Sequence, residues 1–240
     1  MIALQGCYRV FHDRGIQMQK WYSEIVDAYG APSERIEFSP NEITGLASVF
    51  PASLKGFFLE MGRSVLRRGR IQTCHPNDME GVLSLIFNVD REFSSDKCFA
   101  FAYSAFGDIF FWMEDFGYGR LSLYEGHVFQ KNLVKGRRPG SEAINAVSVP
   151  FWLSDEALDY GDETGRPLFE QARHGLGQLE ISECYGFVPV LAFGGRRDIG
   201  DLKRLKAAEH FSIVAQTMDY HLMDVQGYGK IAKIRRIGSR

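Results

Sequence analysis

Six histidines and four cysteines are the residues of this 240-residue chain best suited to hold a metal or attack a substrate. Their spacing decides whether either chemistry is available. A metal site legible in sequence needs ligands within one turn or loop, as in H-E-x-x-H or C-x-x-C. His12, His75, His127, His174, His210 and His221 form no such pair, and Cys7, Cys74, Cys98 and Cys184 stand at least 24 residues apart. Cys184 lies between Glu183 and Tyr185 with no base beside it, which reads as a buried structural thiol. No G-x-S-x-G elbow, no G-x-x-x-x-G-K-[ST] loop and no strand-to-helix G-x-G-x-x-G is present. Gly194-Gly195 therefore reads as a tight turn and Gly107-Asp108 as a hairpin turn. Adjacent carboxylates such as Glu114-Asp115 and Asp162-Glu163 point apart in a strand or loop, so they read as solvated turns, not acid–base pairs. These residues make no catalytic set. The sequence predicts a protein that is not an enzyme, with no metal, no cofactor and no small-molecule substrate.

Two charged features remain. Arg63, Arg67, Arg68 and Arg70 could meet phosphate, but Glu60 is close and no aromatic platform accompanies them, so they read as a solvated helix-to-strand connection. From 139 to 165 there is no Lys or Arg, while Glu142, Asp155, Glu156, Asp159, Asp162 and Glu163 are all acidic, with Phe151, Trp152 and Tyr160 interleaved. One reading is a soluble loop and helix start. The other is an acidic, aromatic-edged surface for a basic protein partner, since opposite potentials steer association and aromatic rings anchor it. On that second reading Asp155, Glu156, Asp159, Asp162, Glu163, Trp152 and Tyr160 are the partner-binding candidates.

These residues must be positioned by a packed core. With 45% hydrophobic residues the chain can bury one without disulfides, and 28 basic against 30 acidic residues leave no global field for nucleic acid or an anionic membrane. The start, MIALQGCYRVFHDRG, lacks the charged region of a secretory signal, and the longest uncharged apolar stretch, 98–107, is about half a bilayer span. A cytoplasmic protein is expected. Apolar residues at helical spacing predict a helix from Met18 to a stop at Gly30-Ala31-Pro32. Ser39-Pro40-Asn41-Glu42 is a capping box opening a second helix to about Val49. Pro51 opens a third that stops at Gly62, and Pro76 a fourth to about Phe87. The alternation over 98–106, the turn at Gly107-Asp108 and further turns at 117–119 and 125–126 predict a four-stranded antiparallel meander ending at Gln130. Beyond it, helices are expected at 141–153 with a break at Pro150, after Ser154, and at 168–176. A strand is expected at 185–193, a helix at 199–218, and a frayed basic tail from Tyr228 to Arg240. The fold class is α+β: a helical amino-terminal part followed by an antiparallel β-meander with flanking helices.

Several of these stretches together resemble a known family. Ala105-Phe106-Gly107-Asp108 followed by Ile109-Phe110-Phe111-Trp112, then Leu123-Tyr124 and His127-Val128-Phe129, is similar to the carboxy-terminal domain of type VI secretion DNase-immunity proteins of the Tdi family. So is the run Cys184-Tyr185-Gly186-Phe187-Val188-Pro189-Val190-Leu191-Ala192-Phe193-Gly194-Gly195, followed by Leu202, Glu209-His210 and Ile213. Upstream, Tyr29-Gly30-Ala31-Pro32 and Phe50-Pro51-Ala52-Ser53-Leu54-Lys55-Gly56-Phe57-Phe58 resemble the GAD-like domain that precedes it, and the Pro-x-x-Leu-x-x-Phe portion is also similar to the SMI1/KNR4 group. Where the GAD-like pattern has a Gly/Trp-rich turn, this chain has arginines and His75-Pro76-Asn77. The resemblance implies a GAD-like domain over 1–95, an antiparallel-sheet immunity domain over 96–225 and a basic tail over 226–240. It implies a cytoplasmic antitoxin that binds a cognate DNase effector and occludes its active or DNA-binding surface, with no nucleic acid or membrane partner. The matched residues are turn glycines and core aromatics, so none transfers as an interface residue. An enzyme with a site assembled from scattered residues, and a nucleic-acid-binding module using the arginines and basic tail, remain the alternatives.

Overall fold

The computed structural model describes residues 16–51, 54–94, 96–136, 143–226 and 230–238. Local signals set the amino-terminal elements. Helix α1 (Ile16–Tyr29) stops at Gly30, whose φ of 86° suits glycine. After the short strand β1 (Glu34–Ile36), Ser39 caps α2 (Pro40–Val49) in a complete capping box: Glu42 N–H donates to Ser39 Oγ, and Ser39 N–H donates to Glu42 Oε2 at 2.8 Å. That backbone bond is the largest influence holding the Glu42 carboxyl down at about 2. Helix α3 (Lys55–Met61) ends at Gly62. Strands β2 (Arg63–Leu66) and β3 (Ile71–Thr73) then form a hairpin across the arginine-rich stretch. Helix α4 (Pro76–Phe87) begins at the expected proline, capped by His75 Nδ1 accepting from Asn77 N–H at 3.2 Å.

The meander forms as the alternation predicts: β4 (Cys98–Ser104), β5 (Asp108–Met113), β6 (Gly117–Ser122) and β7 (His127–Phe129) pair antiparallel in order. Every residue of β5 is buried, because the sheet is covered on both faces. Ile109, Phe111 and Met113 enter one core with α4, while Phe110 and Trp112 enter the other with Phe57, Phe58 and Phe151. The alternation of large rings over 98–106 is interrupted by a register shift between Ala100 and Ala102. Phe99 and Phe101 therefore pack on one core while Tyr103 packs on the other, as a bulge that inserts one residue requires.

The chain continues through α5 (Lys131–Val134), α6 (Ala143–Trp152), α7 (Asp155–Leu158), α8 (Phe169–Leu176), β8 (Glu183–Phe187), β9 (Leu202–Lys206), α9 (Ala207–Ala215), β10 (His221–Val225) and β11 (Ile231–Arg236). The main sheet has nine strands in the order β1-β2-β3-β4-β5-β6-β7-β10-β11, so it runs unbroken from residues before 95 to residues after 96. All neighbours are antiparallel except β7 and β10, and β8-β9 form a separate ribbon. This is an α+β fold.

Five expectations differ. The break expected at Pro150 does not occur, because α6 continues through it to Trp152, and the helix expected to open at Pro51 begins at Lys55. The strand expected over 185–193 ends at Phe187, where pairing with Leu202 stops and Pro189 has no N–H to continue a ladder. The helix expected over 199–218 is split: Leu202 and Leu205 lie on β9, whose backbone completes β8, and the helix starts only at Ala207. The tail is not frayed over 230–238, since β11 pairs with β10 and Ile237 is buried. Arg235 fixes it, donating to Asp90 Oδ2 at 2.6 Å and Oδ1 at 2.9 Å and also bonding Glu92.

Asp90 has a fully buried side chain that also accepts the N–H groups of Glu92, Phe93 and Gly238. Burial opposes its charge, but Arg235 and these N–H groups overcome it and hold the carboxyl at about 2 against 3.8 when free. A depressed carboxyl contributes stability that is present above its free value and lost as pH falls through the folded one. Unfolding stability is expected to drop between about pH 4 and pH 2 on this account. Urea denaturation across that window should show a shallower fall in Asp90→Asn than in the parent; identical pH profiles would dismiss the clasp.

Candidate interaction surface

The turn between β2 and β3 aims Arg67 and Arg70 at the acidic segment and Arg68 at Glu170 beyond it. Arg67 and Arg68 adopt positive φ (50° and 62°), and Gly69 completes the turn. Arg67 and Arg70 are only 5% and 6% exposed, so the arginine stretch is not the solvated connection its sequence suggests. Arg67 reaches the carboxyl end of α6, where Nη1 donates to Phe151 O at 3.1 Å and Leu153 O at 2.6 Å, and Nη2 donates to Asp155. A cation at carbonyls that end a helix is favourably placed. Its guanidinium also lies 4.1 Å from the Tyr29 ring centre. Arg70 faces Asp155 at 3.3 Å, Asp159 at 3.2 Å and Glu170 at 3.2 Å, and stacks 4.0 Å from the Phe169 ring centre. Arg68 stays exposed and pairs with Glu170 at 3.2 Å. The compensating carboxylates lie far along the chain, so Glu60, the nearest acid in sequence, is not their counterion.

The seven candidate residues divide by what each already does. Asp159 is a fold residue: its side chain is 7% exposed, and Oδ1 accepts Leu168 N–H at 3.1 Å and Phe169 N–H at 2.9 Å, capping the entry to α8. Asp162 closes its own turn, accepting from Thr164 N–H, Thr164 Oγ1 and Arg166 N–H at 2.7–2.9 Å and pairing with Arg166 at 2.8 Å. The Thr164 hydroxyl is the largest influence holding the Asp162 carboxyl well below the usual range. Asp155 spends one oxygen on each of Arg67 and Arg70 yet remains half exposed. Glu156 lies exposed in the first turn of α7, which Ser154 caps, and its own N–H lowers its pKa. Glu163 is exposed, and its N–H donates to Arg197 O at 3.2 Å, tying the acidic turn to the segment before β9. Tyr160 is partly buried among Phe106, Tyr124 and Phe187, with its hydroxyl donating to Glu125 Oε1 at 3.0 Å. Trp152 is 41% exposed and tilts against Tyr29. Glu156, Glu163, the outer side of Asp155 and the exposed part of Trp152 are thus available to a partner, whereas Asp159 and Asp162 are committed to the fold.

Elsewhere the chemistry is muted. A cavity between β3, α4 and α9 is lined by Arg63, Asp78, Tyr103, Ser182, Lys206 and Glu209. Arg63 is bonded there to Asp78 and Glu42 at 2.8 Å, and burial pushes the neighbouring Cys74 thiol up. Cys98 and Cys184 are likewise buried, free thiols raised by burial, whereas Cys7 lies outside the described residues. His210 is pushed down to about 4 by burial, with Nε2 2.8 Å from Tyr124 Oη. His127 and His221 sit opposite each other in the parallel β7-β10 pair, a neighbourhood that no sequence spacing announces. Among the described residues no cluster of three or more His, Cys, Asp or Glu could hold a metal, and no helix is long and apolar enough to cross a membrane.

Residues 20–123 match the family model of the GAD-like domain, and residues 150–218 match that of the T6SS immunity protein Tdi1, C-terminal. The crystal structure of Atu4351 from Agrobacterium tumefaciens superposes with a TM-score of 0.83 at 22% identity, covering 91% of this chain and 99% of that one. At that identity the likeness is one of fold. No curated protein matches the chain.

Proposed function

We propose that this chain, to which a GAD-like match and a type VI secretion immunity match point together as an immunity protein, neutralises a cognate DNase effector by covering its active or DNA-binding surface in the cytoplasm. The observation that carries this is the order of the two matches on one chain, together with an exposed acidic edge on the second. A DNase must present Lys and Arg to phosphate, so its substrate surface is positive. Carboxylates on an inhibitor can meet that surface in place of phosphate. Glu156 and Glu163 are the residues free to do so, with the half-exposed Asp155 beside them.

The test is titration of the purified chain against the effector encoded beside it, read as protection of plasmid DNA. A stoichiometric block of cleavage is expected, with no cleavage by the chain alone. Effector activity unchanged by excess chain would end this reading. Exposed charges act chiefly on the rate of encounter. Replacing both Glu156 and Glu163 with Lys should slow association by about tenfold at low salt and flatten its salt dependence, while melting stays within about 2 °C of the parent. Asp159 and Asp162 are unsuitable for this comparison because charge reversal there removes capping acceptors. Equal association rates at two salt concentrations would take the acidic edge out of the interface.

A further inference from the structure

The segment from Val188 to Arg197 leaves β8, turns, and comes back toward β9 with an aromatic side chain at its tip. Phe193 is 70% exposed, the most open of the large apolar side chains among the described residues, and Val188 at the start of the same segment is 46% exposed. The family resemblance had grouped Phe193 with core aromatics, but only Val190 and Leu191 of this loop reach the core.

The loop is held stiffly. Phe193 N–H donates to Val190 O at 2.8 Å, Gly194 N–H to Leu191 O at 3.2 Å and Gly195 N–H to Val190 O at 3.2 Å. Gly194 takes the left-handed conformation (φ 90°) that ends this turn. The two arms touch backbone to backbone: a Cβ on Gly195 would lie 1.9 Å from Pro189 O. At the base, Val188 N–H donates to Asp201 O, and Arg196 N–H donates to Asp201 Oδ2, both at 2.8 Å. Nothing in the folding of the loop requires a phenyl ring in water at its tip. An exposed ring on a pre-ordered loop loses little further freedom when buried by a partner, which is the property of a binding anchor.

The loop is also continuous with the acidic edge. Glu163 N–H bonds Arg197 O, and the Arg197 guanidinium lies 5.2 Å from the Tyr160 ring centre. Phe193 and Glu163 thus belong to neighbouring, hydrogen-bonded segments of the domain matched by the immunity-family model. We propose that Phe193 is the hydrophobic anchor of the effector interface, inserted into an apolar pocket of the effector while the adjoining carboxylates meet its basic surroundings. This inference rests on the immunity reading and adds a residue to it.

The test measures the affinity of Phe193→Ser, Phe193→Leu and the parent for a catalytically inactivated copy of the effector encoded beside this chain. Phe193→Ser is expected to bind about 30-fold or more weakly, the tenfold-per-1.4 kcal/mol equivalent of a 2 kcal/mol anchor, with Phe193→Leu in between. Melting temperature should be unchanged because the ring is outside the core. In Phe193→Trp, tryptophan emission should shift to shorter wavelength on addition of the effector by more than in the parent, whose Trp21, Trp112 and Trp152 also emit. A Phe193→Ser affinity within threefold of the parent, or an emission shift no larger than the parent's, overturns the anchor while leaving the immunity reading intact. A parent chain that fails to bind the effector overturns both. Should Phe193→Ser alter only self-association of the free chain, a second copy, not the effector, covers the ring, and the proposal falls.

Discussion

Replacing Arg70 with methionine should destabilise the fold by about 3–5 kcal/mol, the cost of removing one member of a buried ion pair. Arg70 is 6% exposed and stands among Asp155, Asp159 and Glu170; on its loss Asp155 keeps Arg67 and Glu170 keeps Arg68 and Arg173, while the nearly covered Asp159 loses its cation. Asp159 suffers most, since its side chain is nearly covered and Oδ2 has Arg70 as its ion-pair partner. Methionine keeps much of the contact with the Phe169 ring, so the loss isolates the charge. Lysine at the same position recovers part of the stability at most, because one ammonium cannot serve three separated acceptors as a guanidinium does. Adding Asp159→Asn should restore stability in the methionine background, because Oδ1 can still accept from Leu168 and Phe169 N–H. Urea midpoints of the single and double variants supply the cycle. A single-variant loss under 1 kcal/mol would mean that solvent, not Arg70, neutralises the cluster.

The second large effect is expected in the centre of the meander. Gly119 on β6 is the register partner of Phe111 on β5, and the Phe111 ring covers the place where a side chain would stand. A Cβ there would lie 2.3, 2.6 and 2.9 Å from ring atoms of Phe111. The ring has nowhere to go: it is fully buried and packed against Phe87 and Phe93 at 5.5 and 6.4 Å between centres. Gly119→Ala should therefore cost about 3 kcal/mol, at the upper end for overpacking, and Gly119→Val should leave no cooperative unfolding transition. Combining Gly119→Ala with Phe111→Leu should be less damaging than the two losses added together, because the smaller side chain vacates the contested volume. Strict additivity in calorimetry would show that the two residues do not compete for space.

The elements that could be read in the sequence are those whose cause is local. The Ser39-Glu42 box, Pro76 at the head of its helix, Ser154 before α7, and the glycine turn at Gly107 (φ 86°) depend on neighbours within a few residues. The meander was equally visible, since each strand pairs with the next. What could not be read depends on partners far along the chain. The charges of Arg67 and Arg70 find carboxylates on α7 and α8, and a run of arginines with no visible counterions looks like solvent-facing chain. Leu202 and Leu205 are three residues apart, which fits one helical face, yet β8 needs a ladder partner and takes this segment. The acidic stretch was visible as a composition, but composition does not separate Asp159, which caps a helix, from Glu163, which faces water. Phe193 was hidden for the opposite reason: phenylalanine is usually core, and only the geometry of its loop puts it outside.

The strand order has a consequence for how the chain assembles. The first seven strands stand in the sheet as they occur in the chain, so during synthesis each new strand emerges beside a partner that is already present. That regularity ends at β7. Its other neighbour is β10, paired in parallel with His127 opposite His221, and everything between them must be placed before the edge can close. Contacts of low sequence separation form early, while a pairing of long separation waits for its loop entropy to be overcome. A nascent or truncated chain ending before β10 therefore carries a complete meander whose β7 edge, covered by β10 in the full chain, lies open to pairing with another chain. The last two strands cover the β7 edge and leave β11 as the new one, which the Arg235–Asp90 contact fastens to the loop after α4.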